Sequence, residues 1–199
     1  MKRKNKFLIF GTGKDINKIS FGKIDKSFIT AGVNRIFKKF IPDYYFVYDL
    51  DILGPILPDA VKVVYTHPDK LAEYFRLYKN YKQNFCTYYD ADYMPSYVLN
   101  GKQYDCGHGS INYLIRMLNN YLYKDDENIF YIAGVPLLEG TGHFYDDNHD
   151  TTSVQKALDR FYNDFMRLKN MGYNIVSLMK KSKLNDLFPI ENIKMIYGG

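Results

Sequence analysis

The feature that most constrains this chain is an apolar run near its amino terminus that ends in two closely spaced glycines. Residues 7–10 read Phe-Leu-Ile-Phe, and Gly11, Thr12 and Gly13 follow directly. A first parallel strand passes into a turn in this way, because glycine adopts unusual backbone conformations and lets N–H groups approach an anion. The full dinucleotide fingerprint needs a third glycine opening a helix, and position 16 is Ile16. The pattern predicts either a phosphate-binding turn or a strand-to-helix turn without a ligand.

Short apolar runs alternate with amphipathic stretches of helix length along the whole chain. This alternation predicts an α/β fold: one Rossmann-like domain over residues 1–199, with a mostly parallel sheet and helices on both faces. Strands are predicted at residues 6–10, 28–33, 44–48, 62–65, 84–88, 128–133 and 174–177. Helices are predicted at residues 70–81, 110–123 and 152–171. Residues 90–109 are irregular and rich in Tyr, Asp and Gly, and are predicted to form a mobile loop over the site.

Composition narrows the class of protein. The net charge of +5 suits a phosphorylated or polyanionic partner. Cys86 and Cys106 have neither metal-type spacing nor a disulfide framework, which indicates a reducing cytosol. The basic amino terminus precedes only four apolar residues, so it predicts neither an export signal nor a membrane span, and a cytoplasmic location is expected. Twenty Tyr, fourteen Phe and no Trp, together with many Lys, Asn and Ile, indicate an AT-rich coding source such as a phage or an AT-rich bacterium.

Ligands of open α/β sheets bind beyond the carboxyl ends of the strands, so residues directly after predicted strands are candidates for a nucleotide site. Asn34 could bond a base or sugar and Arg35 or Lys14 could face a phosphate, or Asn34 and Arg35 could begin a solvated helix. Gly134 follows another predicted strand. Gly109 and Ser110 open a predicted helix, where they would form an anion site assisted by the helix dipole, unless Ser110 is only an N-cap.

Two Asp-x-Asp patterns follow predicted strands: Asp49 with Asp51, and Asp90 with Asp92. Paired carboxylates can hold a divalent cation such as Mg²⁺ or Mn²⁺, which would neutralise a diphosphate leaving group. Acidic residues are also favoured in turns and helix caps. The patterns therefore predict either a metal site, with Asp49 and Asp51 as its ligands, or ordinary turns.

Two histidines lie among glycines and carboxylates in residues 140–150, between a predicted strand and the last long helix. His143 and His149 are close in sequence to acidic residues. A His beside a carboxylate can act as a general base at neutral pH. The alternative is that both side chains are solvated in a loop.

The order of these segments resembles a known family. The Gly-x-Gly turn is followed by Gly-Val-Asn-Arg after the second strand, Pro-Asp-Tyr-Tyr before the third and a Gly-Ser helix start. A Tyr-Ile-Ala-Gly-Val strand, a His-Phe-Tyr loop before a long helix and a closing Lys-Leu-Asn-Asp-Leu-Phe-Pro complete the set. Over about residues 6–196 the chain resembles the Rossmann-like group of bacterial lipooligosaccharide sialyltransferases and the related pterin-pyrophosphokinase-like and phage glycosyltransferase-like proteins.

The resemblance implies transfer of a sugar from a CMP-type nucleotide-sugar donor without a metal. It implies a nucleotide site made of Gly11, Thr12, Gly13, Asn34, Gly109 and Ser110. It implies a general base at His149, with His143 second, and a leaving phosphate supported by Tyr145 and Tyr131.

Three features depart from that family. The first turn reads Gly-Thr-Gly-Lys-Asp where the family has Gly-Asn-Gly-Pro-Ser, the chain is short for an acceptor lid, and the Asp-x-Asp pairs suggest a metal.

Together with the resemblance, the sequence predicts an inverting glycosyltransferase acting on an acceptor glycan or a modified nucleic acid. Two alternatives are a Mg²⁺-dependent pyrophosphokinase-like enzyme using ATP at Asp49 and Asp51, and a phage-type accessory or interaction protein that has lost the chemistry.

Overall fold

Seven parallel strands form the central sheet of the computed structural model, which describes residues 2–48, 58, 60–61, 63–70, 76, 84–90, 96–105, 109–138 and 154–198. They are β1 (Lys4–Phe10), β2 (Phe28–Val33), β3 (Tyr44–Phe46), β4 (Val63–Thr66), β5 (Asn84–Thr87), β8 (Glu127–Ala133) and β9 (Ile175–Ser177). Their order in the sheet is β5-β4-β3-β2-β1-β8-β9. A separate antiparallel hairpin consists of β6 (Ser96–Leu99) and β7 (Lys102–Asp105).

The strand order reverses beside β1. From β1 the chain adds β2, β3, β4 and β5 on one side, and it later adds β8 and β9 on the other side. β1 and β8 pair in parallel over their whole length, from Lys4 opposite Glu127 to Phe10 opposite Ala133. The predicted α/β class is therefore confirmed. The carboxyl edge beside β1 and β8 is the place where such sheets bind ligands.

Alternating side chains of the strands feed two hydrophobic clusters, one on each face of the sheet. Phe7 and Phe130 face the two long helices, α1 (Ser110–Met117) and α2 (Val154–Asn170). Leu8 and Phe10 face the other way. On that second face the described covering elements are short 3-10 helices: Lys14–Lys18, Phe21–Lys23, Asn34–Lys38 and Ile193–Ile196.

The short helix Asn34–Lys38 follows from the length of its crossover. Residues 34–43 connect β2 to β3, and ten residues leave no room for a full α-helix between parallel strands. Ile16 and Ile36 fill the space instead, and both side chains are fully buried. The sequence prediction of helices at 110–123 is met by α1 and a π-helix at Leu118–Leu122. Of the predicted helix 70–81, residues 70 and 76 are described, and both are helical.

Within residues 90–109, which the sequence predicts to be irregular, residues 96–105 form a hairpin, so the prediction is wrong for that part. Asn100 and Gly101 both have positive φ, at 51° and 76°, as a two-residue hairpin turn requires. Asn163 of α2 holds this hairpin at two points. Its backbone carbonyl accepts from the Tyr97 hydroxyl at 3.2 Å, and its side-chain amide donates to the carbonyl of Asp105 at 2.9 Å. Residues 96–105 are therefore an ordered hairpin attached to α2.

Candidate functional site

The turn after β1 packs directly against the turn after β8. The N–H of Gly11 donates to the carbonyl of Ala133, and the N–H of Gly13 donates to the carbonyl of Gly134, both at 2.8 Å. A Cβ on Gly11 would lie 2.4 Å from the Gly134 oxygen and 2.6 Å from Cγ2 of Val135. Gly134 has a φ of +73°, which favours glycine. The glycines are thus explained by close contact between two backbone segments.

This corner bears on the predicted phosphate turn. Because the N–H groups of Gly11 and Gly13 already donate to carbonyl groups, they are not directed at an anion in this structure. Thr12 between them is buried, and Lys14 after them is exposed. For these two glycines the geometry favours the second interpretation, a tight strand-to-helix turn.

A second predicted group does come together, at the carboxyl ends of β2 and β3. The Ser110 hydroxyl donates to Oδ1 of Asn34 at 3.2 Å, and the same Oγ accepts from the N–H of Tyr48 at 3.2 Å. Asn34 has a φ of 53°, a conformation that Asn tolerates better than most residues, and its carbonyl accepts from the Tyr45 hydroxyl. The end of β2, the segment after β3 and the start of α1 therefore meet at one point.

The start of α1 adds polar groups to this point. Gly109, not Ser110, occupies the N-cap position, so the interpretation of Ser110 as a simple cap is wrong. The Ser110 side chain instead reaches across to Asn34. Asn112 in the first turn is buried, and its Oδ1 has no hydrogen-bond partner within the described part of the chain. A buried acceptor without a partner is costly, and it offers a place for a ligand donor.

Aromatic side chains line the next part of the same edge. His67 directly follows β4 and is 7% exposed, and its ring centroid lies 5.8 Å from that of Tyr48 and 5.7 Å from those of Tyr89 and Tyr113. Tyr48 and Tyr113 stack at 5.4 Å. Burial raises the pKa of Tyr113 well above its usual range, with the nearby Tyr48 adding to the effect. Lys70 Nζ lies 5.4 Å from the centre of the Tyr48 ring. Tyr48 was not among the site residues predicted from the sequence.

Two predicted roles are corrected. Asp90, the first carboxylate of the second Asp-x-Asp pattern, is buried against Arg116 of α1 and serves as its partner rather than as an exposed metal ligand. Tyr131 lies in the middle of β8, opposite Leu8, and packs against Phe28 at 5.4 Å in the second hydrophobic cluster. It is therefore away from the carboxyl edge and cannot support a leaving phosphate there.

The remaining predicted residues divide into two sets. Arg35 lies in the 3-10 helix after Asn34 and is half-buried. Six residues lie outside the described part of the chain: Asp49, Asp51, Asp92, His143, Tyr145 and His149.

Within the described ranges no group of three or more His, Cys, Asp or Glu side chains could hold a metal ion. No helix among the described residues is long and apolar enough to cross a membrane.

Comparison with known proteins found similarity among solved structures only. No protein-family profile matches the chain, and no curated protein sequence matches it. A structure of the sialyltransferase CstII from Campylobacter jejuni with the substrate analogue CMP-3FNeuAc is similar at a TM-score of 0.39 and 9% identity, covering 100% of this chain and 89% of that one. CST-II with a trisaccharide acceptor and CMP has a TM-score of 0.37 and 10% identity, with coverage of 94% and 86%.

A third similar structure is the apo form of an alpha-2,3-sialyltransferase from Campylobacter jejuni. Its TM-score is 0.37 at 12% identity, and the match covers 98% of this chain and 82% of that one. The assignment of the α/β class stands on the strand order of the chain itself.

Proposed function

We propose that this chain is a glycosyltransferase that moves a sugar from a CMP-type nucleotide donor to an acceptor hydroxyl. The observation that carries the proposal is the hydrogen bond from Ser110 to Asn34. Sequence patterns assigned these two residues separately to a nucleotide site. They meet at the carboxyl edge of the sheet, where α/β folds bind such ligands.

The start of α1 is suited to the phosphate of the donor. N–H groups in the first turn of a helix lack partners within the helix, and the helix dipole favours negative charge there. In the proposed reaction the bond between the anomeric carbon and the phosphate oxygen breaks, and the negative charge grows on the departing nucleotide. When the donor binds, the Ser110 hydroxyl turns from Asn34 to the phosphate, and together with these amides it stabilises that charge as it develops. Asn34 is suited to the sugar or base of the nucleotide, as is Asn112 Oδ1, which has no partner among the residues that the structure describes.

The acceptor is activated by a histidine between β8 and α2. We assign the general base to His149, with His143 as the alternative, and we assign a hydrogen bond to the leaving phosphate to Tyr145. The base removes the proton of the acceptor hydroxyl, whose oxygen attacks the anomeric carbon from the side opposite the phosphate. One displacement of this kind inverts the anomeric centre. No step requires a metal. The acceptor is a glycan or a modified nucleic acid.

Binding of nucleotides tests the donor site. We expect the protein to bind CMP more tightly than UDP, GDP or ATP, as measured by calorimetry. Ser110→Ala should weaken the binding of CMP about tenfold, because a hydrogen bond to a charged group contributes about 1.5 kcal/mol or more. Ser20→Ala, at an exposed serine that makes no cap hydrogen bond, is the matched control and should bind as the wild type does. Equal CMP affinity in the two variants would remove Ser110 from the site.

Turnover tests the base. A His143→Ala, His149→Ala double variant should lose transfer and donor hydrolysis while it still binds CMP. Full activity in that variant would overturn the proposed mechanism. Full activity in excess chelator would eliminate the pyrophosphokinase-like alternative with Mg²⁺ at Asp49 and Asp51.

One observation favours a second candidate, a binding or accessory protein that keeps the fold without the chemistry. The first turn, where a phosphate was predicted, has its Gly11 and Gly13 amides committed to the turn after β8. A thermal-unfolding screen against CMP, UDP, GDP and ATP separates the two candidates. A protein without a nucleotide site gives no stabilisation with any of them.

A further inference from the structure

His67 is a buried imidazole that the proposed mechanism does not use. It directly follows β4, at the same carboxyl edge as Asn34 and Ser110. Only 7% of the residue is exposed, so its function lies in contacts with its neighbours rather than with bulk solvent.

The backbone and ring of His67 begin the helical segment at residues 68–70. Its carbonyl accepts from the N–H of Lys70 at 3.0 Å, and its Nδ1 accepts from the N–H of Asp69 at 3.3 Å. Pro68 stands at the first helical position, where proline is favoured. His67 is therefore the N-cap of this segment.

The imidazole also contacts two rings beside the candidate site. Tyr48 lies 5.8 Å away between ring centroids, and Tyr113 of α1 lies 5.7 Å away in an edge-on arrangement. The backbone N–H of Tyr48 donates to Ser110 Oγ, which in turn donates to Asn34. A short path of contacts thus joins the imidazole to the Ser110 hydroxyl.

We infer that His67 is a positioning residue for the nucleotide site, acting through Tyr48 on the Ser110 hydroxyl. The inference rests on the proposed function. The flat ring of His67 packs against Tyr48 and Tyr113 and fixes the segment after β3 relative to α1. This keeps the Tyr48 N–H on Ser110 Oγ, so that the hydroxyl proton is directed away from Tyr48, toward Asn34 and the donor phosphate. Without the ring, Tyr48 shifts and Ser110 loses its orientation.

Two substitutions separate the ring from the cap. His67→Phe keeps a flat ring of similar size but has no Nδ1 to accept from Asp69. His67→Asn keeps a side-chain acceptor suited to an N-cap but has no ring. A positioning role predicts that His67→Phe binds CMP about as well as the wild type and that His67→Asn binds it roughly three- to tenfold more weakly. A role limited to capping predicts loss of thermal stability in His67→Phe and normal CMP affinity in His67→Asn.

A double-mutant cycle identifies the path. His67→Asn should weaken the binding of CMP in the wild-type background. It should have no further effect on CMP affinity in a Ser110→Ala background, because both changes remove the contribution of the oriented Ser110 hydroxyl. Calorimetry is carried out below the unfolding midpoint of every variant, and Asn170→Ala, at an exposed position on α2, is the control.

The outcomes distinguish the two claims. Two results would overturn the positioning role and leave the proposed function standing. One is normal CMP affinity in His67→Asn. The other is a double variant whose loss of binding free energy equals the sum of the losses in His67→Asn and Ser110→Ala. A wild-type protein that binds none of the nucleotides overturns both.

Discussion

Arg116 and Asp90 form a buried two-point ion pair that joins α1 to the segment after β5. Arg116 Nη2 donates to Asp90 Oδ1 at 2.9 Å, and Nε donates to Oδ2. The two side chains are 1% and 5% exposed. Nη1 of the same guanidinium contacts Met171 Sδ at 3.2 Å, beyond the end of α2. One side chain therefore joins α1, the segment after β5 and the residue that follows α2.

Removing Arg116 should be among the most destabilising single changes. Arg116→Ala leaves the Asp90 carboxylate buried without its cation, which costs about 3–5 kcal/mol of unfolding free energy. Urea unfolding followed by circular dichroism measures it. Arg160→Ala, at an exposed arginine of α2, is the matched control and should stay within about 0.5 kcal/mol of the wild type. Arg116→Met with Asp90→Leu should recover much of the loss, because no charge is left buried. Equal effects of the two alanine variants would contradict this account.

A methyl group at Gly11 should disrupt the corner between β1 and β8. The added Cβ would lie 2.4 Å from the Gly134 oxygen and 2.6 Å from Val135 Cγ2, and the Gly134 backbone cannot move away without displacing the turn after β8. We expect Gly11→Ala to lower the free energy of unfolding by about 1–3 kcal/mol, as overpacking of a well-packed site does. Gly22 has nothing within 4 Å of an added Cβ, so Gly22→Ala should be nearly neutral. The urea midpoints of the two variants give the comparison. If they coincide, the corner is not packed as described.

All seven strands of the sheet were predicted to within two residues at each end, including the largely exposed edge strand β5. The signal was clearest for β1 and β8, which lie inside the sheet and read as nearly continuous apolar runs. The hairpin at 96–105 carried a readable signal in Asn100-Gly101, but the composition of residues 90–109 concealed it.

Contacts across the sheet edge could not be predicted from the sequence in the same way. Asn34 and Ser110 are 76 positions apart, and their contact depends on α1 packing over β2 and β3. The Gly11 turn was ambiguous for a related reason. A turn that binds phosphate and a turn that packs on a neighbouring backbone both require glycine. Only the order of β1 and β8 in the sheet distinguishes them.

Stability should fall in alkaline solution because buried tyrosines resist ionisation. Burial, with a 2.7 Å hydrogen bond between the hydroxyls of Tyr44 and Tyr123, raises the pKa of Tyr44 above its usual range. Its pKa is then higher in the folded chain than in the unfolded chain, where it is about 10. The contribution to stability is therefore complete below about pH 10 and is lost as the pH rises further.

Tyr44→Phe tests this relation. At pH 8 the variant should be less stable by about 1 kcal/mol, because the hydrogen bond is gone. Between about pH 10 and 11 its unfolding free energy should decline less steeply than that of the wild type. The decline does not vanish, since burial also raises the pKa of Tyr88 and Tyr113. Tyr121→Phe, at an exposed ring, is the matched control. A steeper alkaline decline in Tyr44→Phe would reverse the sign of this argument.

Asn163 should control how firmly the hairpin is held to α2. In Asn163→Ala the backbone carbonyl still accepts from Tyr97, but the hydrogen bond to the Asp105 carbonyl is lost. One such bond contributes about 0.5–1.5 kcal/mol, so amides of residues 96–105 should exchange roughly two- to tenfold faster. Asn170→Ala on the same helix is the control. Hydrogen exchange read by mass spectrometry reports the hairpin separately from the sheet. Faster exchange throughout β1 and β8 would mean that Asn163 supports the whole fold, whereas an effect confined to the hairpin makes it a local attachment.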